Sequence, residues 1–207
     1  MSQFFQIHPD NPQPRLIRQA VELIRAGEVI AYPTDSSYAL GCQIGDKFAM
    51  ERIQRIRRTD KNHNFTLMCK DLSEIATYAR VDNIQYRLLK AATPGPFTFI
   101  LRATHELPRR LMNPKRKTIG IRVPDHAIVR ALVDELGEPL MSSTLILPGE
   151  DLPLNDPEFI RDRLEHEVGL VIDGGACGHE PTTVIDLVGE EPQVLRQGKG
   201  DATPFLV

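Results

Sequence analysis

Apolar positions along the chain recur with two periods, and the switches between those periods lay out an interleaved set of helices and strands. Leu16, Ile17, Ala20, Val21, Leu23 and Ile24 repeat at helical spacing, which predicts a helix over 14–26 with Gly27 at its C-terminal cap. The stretch before it is irregular and proline-rich. Val29, Ile30 and Ala31 form a short buried strand stopped by Pro33, and a second strand is expected over 38–44. Asp46 is placed to cap a helix reaching residue 58, with Phe48, Ala49, Ile53 and Ile56 along one face. Further strands are expected over 65–69, 97–102, 118–123, 140–144, 169–172, 183–187 and 193–196. Helices are expected from Asp71, over 83–92, and from Asp125 to about Gly137. Strands and helices interleave without strict alternation, so the expected fold class is α/β, a twisted mixed open sheet with flanking helices. No repeat, low-complexity tract or linker divides residues 1–207, and a single domain is expected.

Composition narrows the function classes. The hydrophobic fraction is 41% and the charged fraction 26%, ordinary globular values that set aside disordered, collagenous and coiled-coil readings. No apolar run approaches the ~18 residues of a membrane span, and the N-terminus has no basic stretch leading into an apolar core. No membrane partner is therefore expected. Cys42, Cys69 and Cys177 are odd in number and far apart, with no C-x-x-C pair, which argues against a disulfide framework or a zinc site and favours a cytoplasmic location.

Net charge is only -3, yet the basic residues are unevenly spread. Arg52, Arg55, Arg57, Arg58 and Lys61 fall within ten positions, and Arg109, Arg110, Lys115, Arg116, Lys117 and Arg122 occupy a stretch without any acid. Such segments suit a local anion-binding face, or equally a set of solvated helix and loop charges.

Candidate chemistry collects at strand ends. The segment Tyr32-Pro33-Thr34-Asp35-Ser36-Ser37-Tyr38 breaks a buried strand with a hydroxyl- and carboxylate-rich turn, which can either meet a ligand or satisfy its own backbone. Arg122 sits in the otherwise apolar Thr118-Ile119-Gly120-Ile121-Arg122-Val123-Pro124, so it needs an anion, either an internal carboxylate or a ligand phosphate. Ser142-Ser143-Thr144 and Pro181-Thr182-Thr183 place hydroxyls at further strand ends, and Arg196 follows another. There is no P-loop, no G-x-G-x-x-G and no G-x-S-x-G, and the six histidines show no ligand spacing. No nucleophile, general base or metal ligand is assigned.

Taken in order, five motifs resemble the YrdC-like family of threonylcarbamoyl-AMP synthases and their relatives. They are the 32–38 segment, Pro94-Gly95-Pro96-Phe97-Thr98, Gly120-Ile121-Arg122-Val123-Pro124, Pro181-Thr182-Thr183-Val184-Ile185-Asp186 and Leu195-Arg196-Gln197-Gly198. The resemblance covers about residues 16–198 and is strongest to the single-domain bacterial YciO proteins. It implies a twisted sheet enclosing a positively charged cavity. Carried over by position, Thr34, Tyr38, Thr118, Ser142 and Thr182 would form a threonine-type site, and Arg57, Lys61, Arg122, Thr144 and Arg196 a nucleotide site. It further implies a nucleotide- and RNA-binding protein, with tRNA or double-stranded RNA as partner through Arg52, Arg55, Arg58, Arg109, Arg110, Lys115, Arg116 and Lys117. The alternative is an active synthase joining L-threonine, bicarbonate and ATP into threonylcarbamoyl-AMP and pyrophosphate for tRNA modification. ATP with Mg²⁺ would then be the substrate complex, with no tightly bound cofactor. The chain departs from the synthase pattern at Ser36, Ala39 and Thr59, and Ile146 stands where synthases carry an asparagine.

Overall fold

The computed structural model describes residues 1–59 and 63–206. Its strands are β1 (Gln3–Gln6), β2 (Ile30–Tyr32), β3 (Ala39–Gln43), β4 (Thr66–Met68), β5 (Phe97–Arg102), β6 (Thr118–Arg122), β7 (Leu140–Thr144), β8 (Leu170–Asp173), β9 (Thr183–Asp186) and β10 (Gln193–Arg196). They join in one sheet of order β1-β8-β2-β3-β7-β4-β6-β5-β9-β10. Pairing is mixed: β1 and β2 run parallel to β8, β4 to β6 and β5 to β9, while the other neighbours are antiparallel. Six helices flank the sheet: α1 (Pro14–Arg25), α2 (Lys47–Arg57), α3 (Leu72–Tyr78), α4 (Asn83–Ala92), α5 (Ala127–Leu136) and α6 (Pro157–Leu164).

Side chains alternate across each strand, and this period of two decides where the site lies. On one face Ala31, Leu40, Leu67, Phe99, Ile119, Ile121, Met141 and Ile185 pack with Ala49, Ile53 and Ile56 of α2 and Ile160 and Leu164 of α6. On the other face Ile30, Tyr32, Leu140, Leu170 and Ile172 pack beneath α1 and α5, whose buried stripes are Ile17, Ala20, Val21 and Ile24, and Ile128, Val129, Leu132, Val133 and Leu136. Those two helices cover the β8-β2-β3-β7 end, with Met68 of β4 at the margin of the same cluster. Over β4, β6, β5 and β9 the same face carries Thr66, Thr98, Thr118 and Arg122 interspersed with Met68, Ile100 and Val184, and among the described residues none of the six helices contributes to its lining.

Helix termini follow their cap chemistry, with three departures from expectation. The Asp46 carboxylate accepts the Ala49 amide, but Phe48 is 80% exposed. It precedes Ala49 by one residue, and a helix turns about 100° per residue, which carries Phe48 off the buried face. At α5 the cap is His126, whose Nδ1 accepts the Ile128 amide; Asp125 instead donates its own N–H to Asp35 Oδ2 at 2.8 Å. The N-terminus is a strand rather than irregular, because four residues suffice to pair in register with β8. The acid-rich stretch after residue 150 contains α6, where Asp156 accepts the Glu158 and Phe159 amides, Pro157 opens the first turn, and Ile160 and Leu164 are buried one turn apart. No helix among the described residues is long and apolar enough to cross a membrane.

Candidate functional site

The uncovered half of the sheet face forms a cavity of about 350 Å³, within the size range of small-molecule sites. Its floor and walls are the outward positions of the strands: Thr66 and Met68 of β4, Thr98 and Ile100 of β5, Thr118, Gly120 and Arg122 of β6, and Val184 of β9. Gly120 keeps the floor low, since a Cβ there would lie 3.4 Å from both Thr66 Oγ1 and Thr98 Cγ2. Ser142, Ser143 and Thr144 close one side; Thr182, Arg196 and Arg116 stand on the other.

Four guanidinium groups define the electrostatics. Arg122 is 6% exposed; its Nη2 donates to Asp35 Oδ1 at 2.6 Å and to Ser36 Oγ at 3.2 Å. Asp35 is thus the internal carboxylate that a buried arginine demands. The pairing is incomplete, however, because Arg122 Nε is buried without a hydrogen-bond partner among the described residues. Arg116 Nη2 donates to Asp186 Oδ2 at 2.7 Å, and the Asp186 side chain is buried at the end of β9.

Among the described residues, Arg196 and Arg57 have no carboxylate partner. Arg196 donates through Nε to the Thr182 carbonyl at 2.9 Å and through Nη2 to Thr182 Oγ1 at 3.2 Å, and Thr182 Oγ1 lies 2.8 Å from Thr98 Oγ1. Partial burial, followed by the nearby Arg122 charge, lowers the Arg196 pKa. Arg57 stands behind the cavity wall, its Nη1 donating to Ser143 Oγ at 2.7 Å and its Nε to the Ile146 carbonyl at 3.4 Å; burial lowers its pKa too. Among the described residues, four guanidiniums against two carboxylates leave an excess of two positive charges around the space.

The structure brings Thr118, Ser142, Thr182, Thr144, Arg122 and Arg196 to the cavity, and Arg57 one contact behind it. It does not bring Thr34 or Tyr38. Thr34 Oγ1 donates to the Ser37 carbonyl at 2.6 Å and accepts the Ser36 and Ser37 amides, so this hydroxyl satisfies its own turn. Tyr38 is fully buried, donating to the Gly175 carbonyl at 2.7 Å and accepting the Gly174 amide, and burial drives its phenol far above the ordinary range. Lys61 lies outside the described residues.

The basic residues divide. Arg52 pairs with Glu28 at 3.0 Å, Arg55 with Glu167 at 3.9 Å, and Arg116 belongs to the cavity. Arg109 and Arg110 instead edge a second, open hollow of about 690 Å³ over α2, with Lys47, Met50, Gln54 and Met112. Arg58 and Lys117 sit in left-handed backbone conformations, with φ of 51° and 54°, and Lys115 is exposed. Sequence reasoning missed Asn64 and Asn113 on the cavity wall and the carboxylate role of Asp186. The only available signal was a polar residue beside an apolar run. No group of three His, Cys, Asp or Glu side chains among the described residues could hold a metal ion.

Comparison with known proteins agrees with this architecture. The Sua5/YciO/YrdC family model, described as Telomere recombination, matches residues 22–198. The uncharacterised protein YciO of Escherichia coli K12 is 62% identical over 206 residues, 100% of both chains. The crystal structure of E. coli YciO gives a TM-score of 0.96 across 100% of each chain. Human threonylcarbamoyl-AMP synthase is 33% identical over 178 residues, which is 83% of this chain but 62% of the human protein. The fold is also that of P. abyssi Sua5 complexed with L-threonine, with a TM-score of 0.87 over 95% of this chain and 58% of that one, at 24% identity.

Proposed function

The chain belongs to the Sua5/YciO/YrdC family, and on that premise we propose that its cavity binds the phosphates of a nucleoside triphosphate together with a small hydroxy amino acid such as L-threonine. The observation that carries this reading is the excess positive charge. Among the described residues, Arg122 retains an unpartnered, buried Nε, and Arg196 meets only Thr182. A desolvated guanidinium without its full set of acceptors is costly in an empty site and strongly favours an oxyanion. A ligand with two or more negative charges would neutralise the cavity, and the hydroxyls of Thr66, Thr98, Thr118 and Thr182 line it for hydrogen bonding.

Both nearby carboxylates are committed, Asp35 to Arg122 and Asp186 to Arg116. Neither is free to hold Mg²⁺, so the cation would arrive on the triphosphate as part of the substrate. Condensation of a carbamate oxygen with the α-phosphorus and expulsion of pyrophosphate needs no protein nucleophile, and an arginine-lined cavity would serve it by positioning and charge stabilisation. Ile146 in place of an asparagine removes one amide from that machinery, which makes binding of nucleotide the primary function and synthase turnover the secondary one. The deciding experiment measures pyrophosphate release from ATP and Mg²⁺ with and without L-threonine and bicarbonate, beside nucleotide affinity by calorimetry. Release that requires both co-substrates establishes the synthase. Binding without release establishes a nucleotide-binding protein, and neither overturns the reading.

RNA is a second partner, and a specific feature favours it: Arg109 and Arg110 line an open hollow with Met50 and Met112, where Lys47 is paired with Glu51 at 3.8 Å. Phosphate contacts of this kind give binding that falls steeply with salt. Arg109→Ala with Arg110→Ala should weaken binding of a duplex RNA or tRNA; unchanged affinity removes the hollow from consideration.

A further inference from the structure

We propose that the side-chain amide of Asn64 is an oriented hydrogen-bond donor on the cavity wall, and that it recognises a ligand group able only to accept. The inference rests on the reading that the cavity binds nucleotide and amino acid, and it adds a contact to that site. Asn64 and Asn113 both line the cavity and are half-buried. Asn64 stands two residues before Thr66 on the approach to β4, whereas Phe65 and Leu67 turn into the core on the opposite face. Thr66 is in register with Gly120 of β6 and Ser142 of β7, which brings position 64 level with Thr118 and Thr144. An asparagine and two threonines from three neighbouring segments thus meet at one end of the cavity. Arg122 lies four residues beyond Thr118, about 13 Å along β6, and is held there by Asp35.

Neighbouring groups fix which way the amide faces. Asn113 Oδ1 accepts the Lys115 amide at 3.1 Å and the Arg116 amide at 2.9 Å. Backbone N–H groups can only donate, so the other end of that side chain is Nδ2. Asn113 Nδ2 then donates to Asn64 Oδ1 at 3.4 Å. The contact is long, but reversing Asn64 would set two NH2 groups against each other. Asn64 Nδ2 therefore keeps both hydrogens unspent among the described residues, on a side chain that lines the cavity. The Thr118 and Thr144 hydroxyls likewise make no hydrogen bond among the described residues.

A hydroxyl answers a donor or an acceptor by turning, whereas an amide nitrogen only donates. Thr118 and Thr144 are therefore permissive, and Asn64 is the residue at this end that discriminates. A phosphoryl or carboxylate oxygen, a base carbonyl or an unprotonated ring nitrogen would satisfy it. An ammonium placed there would face the amide with hydrogens on both sides and no acceptor between them. Asn64→Asp isolates this property. The new carboxylate can still accept from Asn113 Nδ2, but it has no hydrogen to give a ligand.

Calorimetric titration of the intact protein with ATP and Mg²⁺ tests it, on wild type, Asn64→Ala and Asn64→Asp at low and high salt, repeated with inorganic tripolyphosphate. Asn64→Ala should weaken ATP binding about five- to tenfold at either salt, the loss of one hydrogen bond. Asn64→Asp should weaken it about a hundredfold at low salt, and high salt should narrow that gap without closing it. The melting temperature of Asn64→Asp should match wild type, which separates loss of the donor from loss of structure. Equal losses for tripolyphosphate would identify the acceptor as a phosphate oxygen; losses confined to ATP would place it on the nucleoside. If ATP binds Asn64→Ala as tightly as wild type, the donor is wrong while the cavity reading stands. If ATP does not bind wild type, the cavity reading fails and this inference with it.

Discussion

Arg122 and Asp35 meet at 2.6 Å inside the molecule, with side chains only 7% and 8% exposed. The same carboxylate accepts the Asp125 amide through its second oxygen, and Lys199 Nζ donates to the Asp35 backbone carbonyl. One aspartate therefore joins the turn after β2, the end of β6, the approach to α5 and the segment after β10. Of these pieces Ser37 and Arg122 line the cavity, so the ion pair is as much a positioning device as a stability element.

Removing one partner of such a pair strands the other in low dielectric. Asp35→Ala is expected to cost about 3–5 kcal/mol in urea unfolding. Replacing both, as Asp35→Ala with Arg122→Met, should cost clearly less than the sum of the single changes. Additive costs would mean that solvent reaches Arg122 and that the pair is not buried in energetic terms.

Gly198 is a second place where geometry leaves no slack. A Cβ at this position would collide with the carbonyl oxygens of Pro181 and Thr182, backbone atoms that cannot swing aside. The Thr182 carbonyl is the acceptor that holds Arg196 Nε. Gly198→Ala is expected to lower the melting temperature and to weaken nucleotide binding together, because moving Thr182 moves the guanidinium. A variant that melts lower yet binds nucleotide as before would show that Arg196 is placed independently of this strand crossing.

Much of this organisation was legible in the residues. Asn83–Ala92, Phe97–Arg102, Leu140–Thr144 and Gln193–Arg196 fall where period and punctuation put them, since caps, prolines and alternation all agree there. Segment 3–6 escaped notice because its strand character comes from pairing with β8, a partner far along the chain that local pattern does not reveal. α6 was hidden by its charge, although Asp156 and Pro157 spell a helix start. The need of Arg122 for an anion could be read from an apolar strand; that Asp35 supplies it could not. Thr34 and Tyr38 sat in a motif whose residues favour a self-satisfied turn over a ligand loop, and Thr34 Oγ1 is hydrogen-bonded within that turn.

His126 gives stability a pH dependence of defined sign. As the cap of α5 its Nδ1 accepts the Ile128 amide, and burial holds its pKa below the ordinary 6.5, opposed in part by Asp35, Asp10 and Asp125. The unfolded chain therefore takes up the proton at a higher pH than the folded one. The folded state has its full advantage above pH 6.5 and loses it as pH falls toward the depressed value. His126→Asn keeps an acceptor at the cap without a titrating ring. The difference in melting temperature between wild type and this variant should stay constant above pH 7 and shift in favour of the variant as pH falls from about 6.5 to 5. A difference that is flat across the range would show that the imidazole is hydrated in the folded protein.

Arg196 separates charge from shape. Its Nε and Nη2 clasp Thr182, which leaves Nη1 for a ligand and fixes the plane of the fork. Lysine would retain the charge but has no second nitrogen with which to hold the Thr182 carbonyl while reaching a phosphate. Arg196→Ala is expected to weaken ATP binding by about ten- to a hundredfold, the range for a hydrogen bond to a charged group. Arg196→Lys should recover only part of that loss, and more at low salt than at high, because an unclasped ammonium contributes through screened attraction rather than through a fixed contact. Melting temperatures should change little in either variant, since the side chain is only partly buried and makes no ion pair with a carboxylate among the described residues. Full recovery by lysine would mean that the cavity reads charge alone, and that the clasp on Thr182 serves the strand rather than the ligand.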